Sequence, residues 1–263
     1  MSSRQTAVML YERSETLVNV GCAGWSIPKQ FAECFPGDGS HLVRYSRRFR
    51  GVEVNSCFYR SHLPATYARW ANETPPEFSF SLKVPRKITH ECRLINTESD
   101  LGRFLDETAL LGKKRGPILV QLPPSFVFNA KIVGEFFDGL RRQYEGDVAC
   151  EPRHPSWFAS EAEGLMTGFQ VARVAADPAV VPRAGEPGSW GGLVYYRLHG
   201  SPRIYYSPYP TERLAAIASS LVEAPATVRS WCIFDNTAIG AATGDALAVA
   251  EKVRRKSPFV SAP

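Results

Sequence analysis

Long apolar runs are missing from this chain of 263 residues. No run approaches the roughly 20 residues that a membrane helix needs, and residues 1–18 lack the apolar block of a secretion signal. None of the six cysteines stands in a Cys-x-x-Cys pair, so the spacings of zinc ribbons and disulfide frameworks are absent. These absences predict a cytoplasmic protein with reduced thiols and no membrane partner.

Phosphate-binding loops are missing as well. Neither Gly-x-Gly-x-x-Gly nor Gly-x-x-x-x-Gly-Lys-Ser/Thr follows the first apolar run. The net charge of +5 is modest, and much of the basic excess stands at predicted helix ends, where such charges are usually solvated. A dedicated nucleic-acid surface would show a stronger imbalance, or basic stripes interleaved with aromatic residues. The charge therefore favours an anionic partner without singling out nucleic acid.

The sequence does contain a repeated alternation of short apolar runs with helical segments. The predicted strands are residues 18–24, 51–56, 78–85, 118–123, 147–153, 170–177, 193–200 and 229–236. The predicted helices are residues 41–49, 65–72, 99–112, 130–143, 161–168, 211–223 and 241–255. Alternation of this kind is typical of repeated βα units that form a parallel sheet.

Eight βα units favour a (β/α)₈ TIM barrel over an open doubly wound sheet, because eight strands are the number that closes such a barrel. Residues 178–192 carry several Pro and Gly without a helical period, so the sixth helix is expected to be missing or irregular. The length and the lack of a linker predict one domain over residues 1–263, with the barrel core at about 18–255.

Polar side chains share one face of each predicted strand and gather toward its C-terminal end, where barrel enzymes place catalytic groups. The charged members are Glu53, Lys83, Glu151, Arg153, Arg173, Asp177, Arg197 and Asp235. Asn55, Gln121 and His199 accompany them. Four acids and four bases balance, so a structural ion-pair network is one interpretation; we favour a functional site, because buried networks seldom form for stability alone.

The residue types at these positions could serve either metal binding or proton transfer. Glu53, Glu151, His199 and Asp235 could bind a divalent ion, but each carboxylate has a cationic candidate partner, so a metal is not favoured and any cofactor stays unknown. His90, His154 and His199 each follow or end a strand, and imidazole titrates near neutral pH. One of the three is therefore a candidate general acid or base.

Seven blocks of sequence, taken together and in order, form a specific signal. The blocks are Gly21-Cys-Ala-Gly-Trp25, Val52-Glu-Val-Asn-Ser-Cys-Phe-Tyr-Arg60, Phe78-Ser-Phe-Ser-Leu-Lys-Val-Pro-Arg86 through Ile88-Thr-His90, Gln121-Leu-Pro-Pro124, Glu151-Pro-Arg-His-Pro-Ser-Trp157, Tyr196-Arg-Leu-His-Gly200 and Phe234-Asp-Asn-Thr237. In this order, over about residues 18–255, they resemble the YecE-like family, the domain of unknown function 72. The resemblance implies a TIM barrel, related in shape to sugar-isomerase and endonuclease barrels, and no established activity.

Two positions depart from the family's pattern. Asp235 stands where the resemblance implies Asn in a Phe-Asn-Asn block, and Pro152 replaces a bulkier residue in the block that begins at Glu151. Asp235 adds a negative charge, so a role carried over from the family to this position is in doubt.

The leading hypothesis is a hydrolase- or lyase-type enzyme whose phosphate- or carboxylate-bearing substrate is held by Lys83, Arg153 and Arg197. Glu53, Glu151, His199 or Asp235 would perform the catalytic steps. The further expected substrate contacts are Asn55, Tyr59, His90, Gln121, His154, Trp157 and Asn236. Replacing Glu151 or Arg197 with alanine is expected to abolish activity and leave the fold intact. The alternatives are a nucleic-acid-binding or nuclease-like barrel and a non-catalytic ligand-binding barrel.

Overall fold

The strands of this protein, seen in a computed structural model, follow the predicted order. The structure describes residues 18–256; the predictions for the segment before Val18 and for residues 257–263 lie outside the described residues. The strands are β1 (Val18–Cys22), β2 (Gly51–Val54), β3 (Ser79–Lys83), β4 (Arg115–Gln121), β5 (Val148–Glu151), β6 (Val171–Arg173), β7 (Ala175–Asp177), β8 (Gly188–Ser189), β9 (Leu193–Leu198) and β10 (Arg229–Phe234).

Helices alternate with the strands and begin where the local sequence favours a start. They are α1 (His41–Ser46), α2 (Ser56–Tyr59), α3 (Pro64–Glu73), α4 (Glu98–Ala109), α5 (Ala130–Arg141), α6 (Ser160–Gly168), α7 (Thr211–Glu223) and α8 (Ala241–Lys256). The Ser40 hydroxyl accepts the Val43 N–H before α1, and Asn129 Oδ1 accepts the Ile132 N–H before α5, at 3.3 and 3.1 Å. Pro64 occupies the first turn of α3.

The strands form two sheets. One has the order β2-β3-β4-β5-β6-β8 and the other β1-β10-β9-β7. Every pairing between neighbouring strands is parallel except the short antiparallel contact of β6 with β8. The fold is thus of the α/β class with parallel sheets, so the C-terminal ends of its strands lie at the same end of the molecule.

Links between the two sheets occur at two places. Val174 alone separates β6, which pairs with β5, from β7, which pairs with β9. At the other side, Ala23 forms a parallel bridge with Glu53. β1 and β2 approach so closely that a Cβ atom on Gly21 would lie 1.9 Å from the Gly51 carbonyl oxygen. Both sheets therefore contribute strand ends to one region of the molecule.

Apolar residues form two separate clusters. The larger one combines strand residues such as Val52, Val54 and Cys150 with helix residues such as Phe137. The smaller one comes almost wholly from the opposite faces of β4, β5, β6, β9 and β10, and its members are Leu119, Ala149, Ala172, Val174, Leu193, Tyr195, Trp231 and Ile233. The smaller cluster lies beneath the polar strand ends and excludes water from below them.

Each of the eight predicted strand runs contains a strand, and the run at 170–177 contains two. The expectation of a missing sixth helix is confirmed: residues 178–192 form a 3₁₀ turn at Pro182–Gly185 and the strand β8, with no α-helix. The Pro and Gly content of this segment provides the reason, because neither residue favours a helix interior.

No helix among residues 18–256 is both long enough and apolar enough to cross a membrane. All six cysteines are free, in agreement with the sequence analysis, and four of them are buried. Burial raises the pKa of the Cys22 and Cys57 thiols to about 12, which indicates packing rather than reactive roles.

Candidate functional site

Arg197, on β9, is the centre of a buried group of charged side chains. Its guanidinium donates to both carboxylate oxygens of Glu53, at 2.9 and 2.5 Å, and to Glu151 Oε2 at 2.5 Å. A further bond reaches Asp235 Oδ2 at 3.2 Å. Arg197, Glu53 and Glu151 are at most 1% exposed. We call Glu53, Glu151, Arg197, His199 and Asp235 the charged cluster.

Glu151 accepts hydrogen bonds from four side chains. Besides Arg197, the donors are Gln121 Nε2 and Arg153 Nε, both at 3.0 Å, and His199 Nε2 at 3.1 Å. Burial raises the pKa of the Glu151 carboxyl, but the charges of Arg197, His199 and Arg153 outweigh this effect, so its pKa lies well below the ordinary range. Glu151 is therefore an anion that positions four donors rather than a proton carrier.

Glu53 is held in the same way from below. Tyr195 Oη donates to Glu53 Oε2 at 2.9 Å and lies 2.7 Å from Ser81 Oγ, which in turn donates to the Pro117 carbonyl. The bidentate bond from Arg197 occupies the remaining carboxylate positions. Glu53 has no exposed surface, so it supports the cluster and does not face a ligand.

His199 lies between two carboxylates. Its Nδ1 is 3.0 Å from Asp235 Oδ2, and its Nε2 is 3.1 Å from Glu151 Oε1. Burial lowers the pKa of the imidazole, but the charge of Glu151 and the bonds to Asp235 and Glu151 outweigh it, so the pKa of His199 is raised. Only the doubly protonated ring donates to both neighbours. Asp235 is the more exposed partner, with 15% of its side chain accessible.

Four cations near His90 act on its imidazole. They are Lys83, Arg86, Arg93 and Arg153, and we call these four residues the cationic rim. Burial lowers the pKa of His90, and the charges of all four rim residues lower it further, to about 4. His90 is thus neutral at physiological pH and registers a positive local field.

The resemblance found in the sequence is borne out by comparison with known proteins. The family described as "Protein of unknown function DUF72" matches residues 19–263. The chain belongs to the DUF72 family. Curated relatives of this DUF72 chain include the UPF0759 protein YecE of Escherichia coli K12, 29% identical over 148 residues, and the UPF0759 protein YunF of Bacillus subtilis, 26% identical over 151 residues. The matched regions cover 56% and 54% of this chain.

The chain spans about half the length of these curated relatives, 52% of YecE and 53% of YunF. Solved structures match over more of the chain. A DUF72 family protein from Thermotoga maritima has a TM-score of 0.74 at 24% identity and covers 90% of this chain and 99% of its own. One from Enterococcus faecalis has a TM-score of 0.74 at 20% identity, with coverages of 93% and 97%. These likenesses establish a shared fold, and none of the names states a reaction.

Arg173 and Asp177, two charged residues that the sequence placed at the predicted site of this DUF72 chain, do not face the charged cluster. Arg173, on β6, points to α6 and donates to Glu163 Oε1 at 2.5 Å. Asp177, at the end of β7, pairs with Arg213 of α7 at 3.3 Å. The expectation of eight charges around one cavity is therefore wrong: the sixth strand turns Ala172 and Val174 inward, and these small apolar residues join the inner cluster.

Trp157 has no exposed surface, and its indole N–H donates to the Phe126 carbonyl at 2.8 Å. Asn236 is equally buried, and its amide donates to the Ser207 carbonyl and to Asp245. Neither Trp157 nor Asn236 has an accessible side-chain surface for the direct substrate contact that the sequence predicted. The structure gives both residues loop-anchoring roles instead.

The other expected substrate contacts differ widely in their exposure. His154 Nδ1 caps the following turn by accepting the Ser156 N–H at 3.2 Å. Tyr59 is 77% exposed. Asn55 follows β2, and its Oδ1 is buried without a hydrogen-bond partner among residues 18–256. The Gln121 amide donates its hydrogen bond to Glu151. Of the predicted contacts, Arg153 combines a bond to the charged cluster, through Glu151, with an exposed side-chain surface of 27%.

Ser81, Tyr195 and Phe58 also belong to the site, although they were not among the predicted catalytic or substrate-binding residues. Ser81 and Tyr195 complete the support of Glu53, and the Phe58 ring lies 4.0 Å beneath Lys83 Nζ. A signal for Ser81 was present, because it stands two residues before Lys83 and shares its face of β3.

Two clefts have linings that contain no member of the charged cluster. One of about 260 Å³ is lined by Phe58, Tyr59, Arg86 and neighbouring residues after β2 and β3. Another of about 620 Å³ is lined by Trp25, His62, Trp70 and neighbouring residues. Among residues 18–256, no group of three His, Cys, Asp or Glu side chains is arranged to hold a metal ion. In the charged cluster the carboxylate oxygens are already engaged by Arg197 and His199.

Asp235→Asn is expected to lower the pKa of His199 and to change how stability depends on pH. The folded-state pKa of His199 lies above its ordinary value of 6.5, so its stabilisation is complete below about pH 6.5 and is lost as the pH rises through the raised pKa. The pKa of Asp235 is lowered, chiefly by the His199 bond acting against burial, so its contribution is present above about pH 3.8 and lost as the pH falls through the lowered pKa.

The wild type should therefore exceed Asp235→Asn in free energy of unfolding by the largest amount between about pH 3.8 and 6.5. Urea denaturation at a series of pH values measures this difference. Asp177→Asn is the matched control, because Asp177 also ends a strand but contacts Tyr209 and Arg213. NMR titration of the His199 ring reads the pKa directly. A His199 pKa that is unchanged in Asp235→Asn would contradict this assignment.

Proposed function

We propose that the two parallel sheets close into a (β/α)₈ TIM barrel whose C-terminal end carries the functional site. The near-continuous passage from β6 to β7 and the bridge between Ala23 and Glu53 support closure. The separate apolar cluster on the inward strand faces is what a filled barrel interior would supply. The charged cluster then lies where barrel enzymes act on their substrates.

The site, we infer, binds a small anionic substrate. The observation that carries this proposal is the position of Arg153, which bonds to Glu151 and lies 3.4 Å from His199 Nε2 while part of its guanidinium side chain stays exposed; the positive charges near His90 agree with it. A partly open region of positive potential, walled by buried groups, attracts and holds anions such as phosphates and carboxylates. Arg153 is the best-placed clamp, because 27% of its side chain is exposed while its Nε is fixed by Glu151.

The proposed reaction is of the hydrolase or lyase type and uses the His199–Asp235 pair for proton transfer. His199 holds a proton on Nδ1 that faces Asp235 Oδ2 at 3.0 Å, and Asp235 is the member of the charged cluster that reaches solvent. His199 would give this proton to the substrate and recover it, while Asp235, whose pKa is lowered, stays an anion that orients and stabilises the imidazolium. Glu53 and Glu151 position Arg197 and His199 and do not themselves transfer protons.

The test is a thermal-shift screen of phosphorylated and carboxylated small molecules, followed by NMR detection of turnover. A ligand present at a hundred times its Kd stabilises the folded protein by about 2.7 kcal/mol, which corresponds to roughly 5–10 °C in Tm for a protein of this size. Arg153→Ala is expected to remove most of this shift, because it deletes the exposed clamp while Glu151 keeps three other donors.

Arg142→Ala serves as the control for the loss of one positive charge, since the Arg142 side chain is 63% exposed and pairs with Asp138 on α5. Equal ligand shifts in Arg153→Ala and Arg142→Ala would overturn the proposed anion site. A ligand that binds through Arg153 and is never converted would favour a non-catalytic binding barrel.

Nucleic-acid binding is a second candidate function, and one observation favours it. The Arg203 guanidinium lies 3.8 Å over the Tyr206 ring, beside the exposed Tyr205, in the loop after β9. Exposed rings with adjacent arginines stack on bases. Binding of oligonucleotides should then weaken steeply as salt is added and should be reduced in Tyr206→Ala; binding insensitive to salt would count against it.

A further inference from the structure

Lys83 differs from the other buried charged side chains of the protein. It ends β3, is 8% exposed, and its Nζ lies 4.0 Å above the ring of Phe58. Within residues 18–256, its ammonium has no hydrogen bond and no carboxylate at ion-pair distance. By contrast, Arg173 is paired with Glu163, and Arg197 is paired with three carboxylates.

The charged groups that face Lys83 come from several elements. Arg197 on β9 opposes its charge, whereas Glu53 on β2, Glu151 on β5 and Asp235 after β10 favour it. Those carboxylates are already bonded to Arg197 or His199, so they stabilise the Lys83 ammonium only from a distance. His90 lies on the outer side and is neutral.

Burial and the charge of Arg197 together lower the pKa of Lys83 to about 8. At pH 7 about one tenth of Lys83 is then the neutral amine, hundreds of times more than for an ordinary lysine. A desolvated lysine beside another cation is the usual form of a nucleophilic amine.

We propose that Lys83 is a nucleophile that forms a Schiff base with a small anionic aldehyde, ketone or oxo acid whose anionic group is held by Arg153. This inference rests on the proposed function and deepens it, because it adds a carbonyl group to the anionic substrate. The geometry carries it: within residues 18–256, the Lys83 amine has no hydrogen-bond partner, stands at the end of β3 against the Phe58 ring, and lies near Arg197 and Asp235 of the charged cluster.

The chemistry balances without a further reactant. The lone pair of neutral Lys83 forms the C–N bond, and the π electrons of the carbonyl pass to its oxygen, which receives a proton as the nitrogen gives one up. The His199–Asp235 pair supplies a second proton, the C–O bond breaks, and water leaves as the protonated imine forms. The proton that the Lys83 ammonium released when it became an amine restores the one that the His199–Asp235 pair supplied. In net terms, the Lys83 ammonium and the carbonyl compound give the protonated imine and one water.

The experiment treats the full protein with glyoxylate, pyruvate or dihydroxyacetone phosphate in the presence of sodium cyanoborohydride and locates the reduced adducts by peptide mass spectrometry. With at least one probe, Lys83 is expected to react about tenfold faster than any other lysine at pH 7, because more of it is unprotonated. Lys83→Arg keeps the charge and should remove the preferred adduct.

Lys114→Arg is the matched control. The pKa of Lys114 is also lowered by burial, but its ammonium donates to the carbonyls of Ala71 and Thr74, at 2.6 and 2.5 Å, so its lone pair is not presented to a ligand. Its replacement should leave the preferred adduct unchanged. Labelling spread over the lysines without preference for Lys83, with all three probes, overturns the proposal; if Lys83→Arg fails to fold, the position labelled in the wild type decides.

Inorganic phosphate separates this inference from the proposed function, since phosphate has an anionic group and no carbonyl. Thermal stabilisation by phosphate that Arg153→Ala removes, together with no Lys83 adduct, retains the anion site and overturns the nucleophile. Absence of both phosphate binding and labelling overturns both. Competitive acetylation with trace acetic anhydride gives a third measure, in which Lys83 should become reactive with a midpoint near pH 8.

Discussion

Replacing Arg197 with alanine is expected to destabilise the folded protein by about 3–5 kcal/mol, as measured by urea denaturation at pH 7. The guanidinium neutralises Glu53, Glu151 and Asp235 at the same time. Its removal leaves Glu53, which has no exposed surface, without a cation at ion-pair distance within residues 18–256, and it takes one of the cationic donors from Glu151. The loss therefore comes mainly from charges left buried and not from the strength of any single bond.

Arg142→Ala is the control for this prediction, because Arg142 and Asp138 are both more than half exposed. Breaking that surface pair should cost about 0–1 kcal/mol. A loss below 1 kcal/mol in Arg197→Ala would show that the carboxylates are protonated or hydrated in the folded protein. The sequence predicted that alanine at Arg197 or Glu151 leaves the fold intact, whereas the buried ion pairs of these residues lead us to expect a loss of stability. The tests of function therefore use Arg153 and Lys83.

Trp157→Ala is expected to destabilise the protein by about 3–5 kcal/mol, because a fully buried ring is deleted and its neighbours cannot fill the space. Trp157 packs edge-on against Phe128, at 5.2 Å between ring centroids, and its N–H satisfies the Phe126 carbonyl. Trp157→Phe keeps most of the ring volume and loses mainly the hydrogen bond, so it should cost about 1 kcal/mol. Urea denaturation measures both free energies of unfolding.

Tyr59→Ala provides the comparison for an aromatic residue that is largely exposed, and its cost should stay within about 0.5 kcal/mol. Anion affinity should be retained in Trp157→Phe, since the ring does not reach the cationic rim. If Trp157→Phe lost anion binding while keeping its stability, the substrate contact predicted from the sequence would be correct and the packing role wrong.

Strand periodicity alone was enough to bring the charged cluster together. Glu53, Glu151, Arg197 and Asp235 each stand at the end of an apolar run, and in a set of parallel strands these ends lie at one end of the molecule. Residues two apart share a face, so Arg197 and His199 were also placed side by side. The family blocks supported the same assignment, because most of them contain one of these residues.

The same periodicity could not tell which face of the sixth strand points inward. It correctly groups Arg173 with Asp177, but both were placed in the cavity because the other polar residues are there. Small inward residues at Ala172 and Val174 fill the inner cluster, while Arg173 finds Glu163 on α6. The face that Arg173 takes depends on Glu163, ten residues earlier in the sequence, and on the space that the other strands leave in the inner cluster. Alternation along a strand does not encode either of these.

The sequence by itself determined the α/β class, the order of the strands, the missing sixth helix and the identity of the charged cluster, because these follow from local propensity and from the alternation of side chains along a strand. Only the tertiary structure decided which charges are paired. It removed Arg173 and Asp177 from the cavity and buried Trp157 and Asn236. It also left Lys83 without a carboxylate at ion-pair distance within residues 18–256. Pairing and burial are set by distances between strands that are remote in sequence, and these distances give His199 and Lys83 their shifted pKa values.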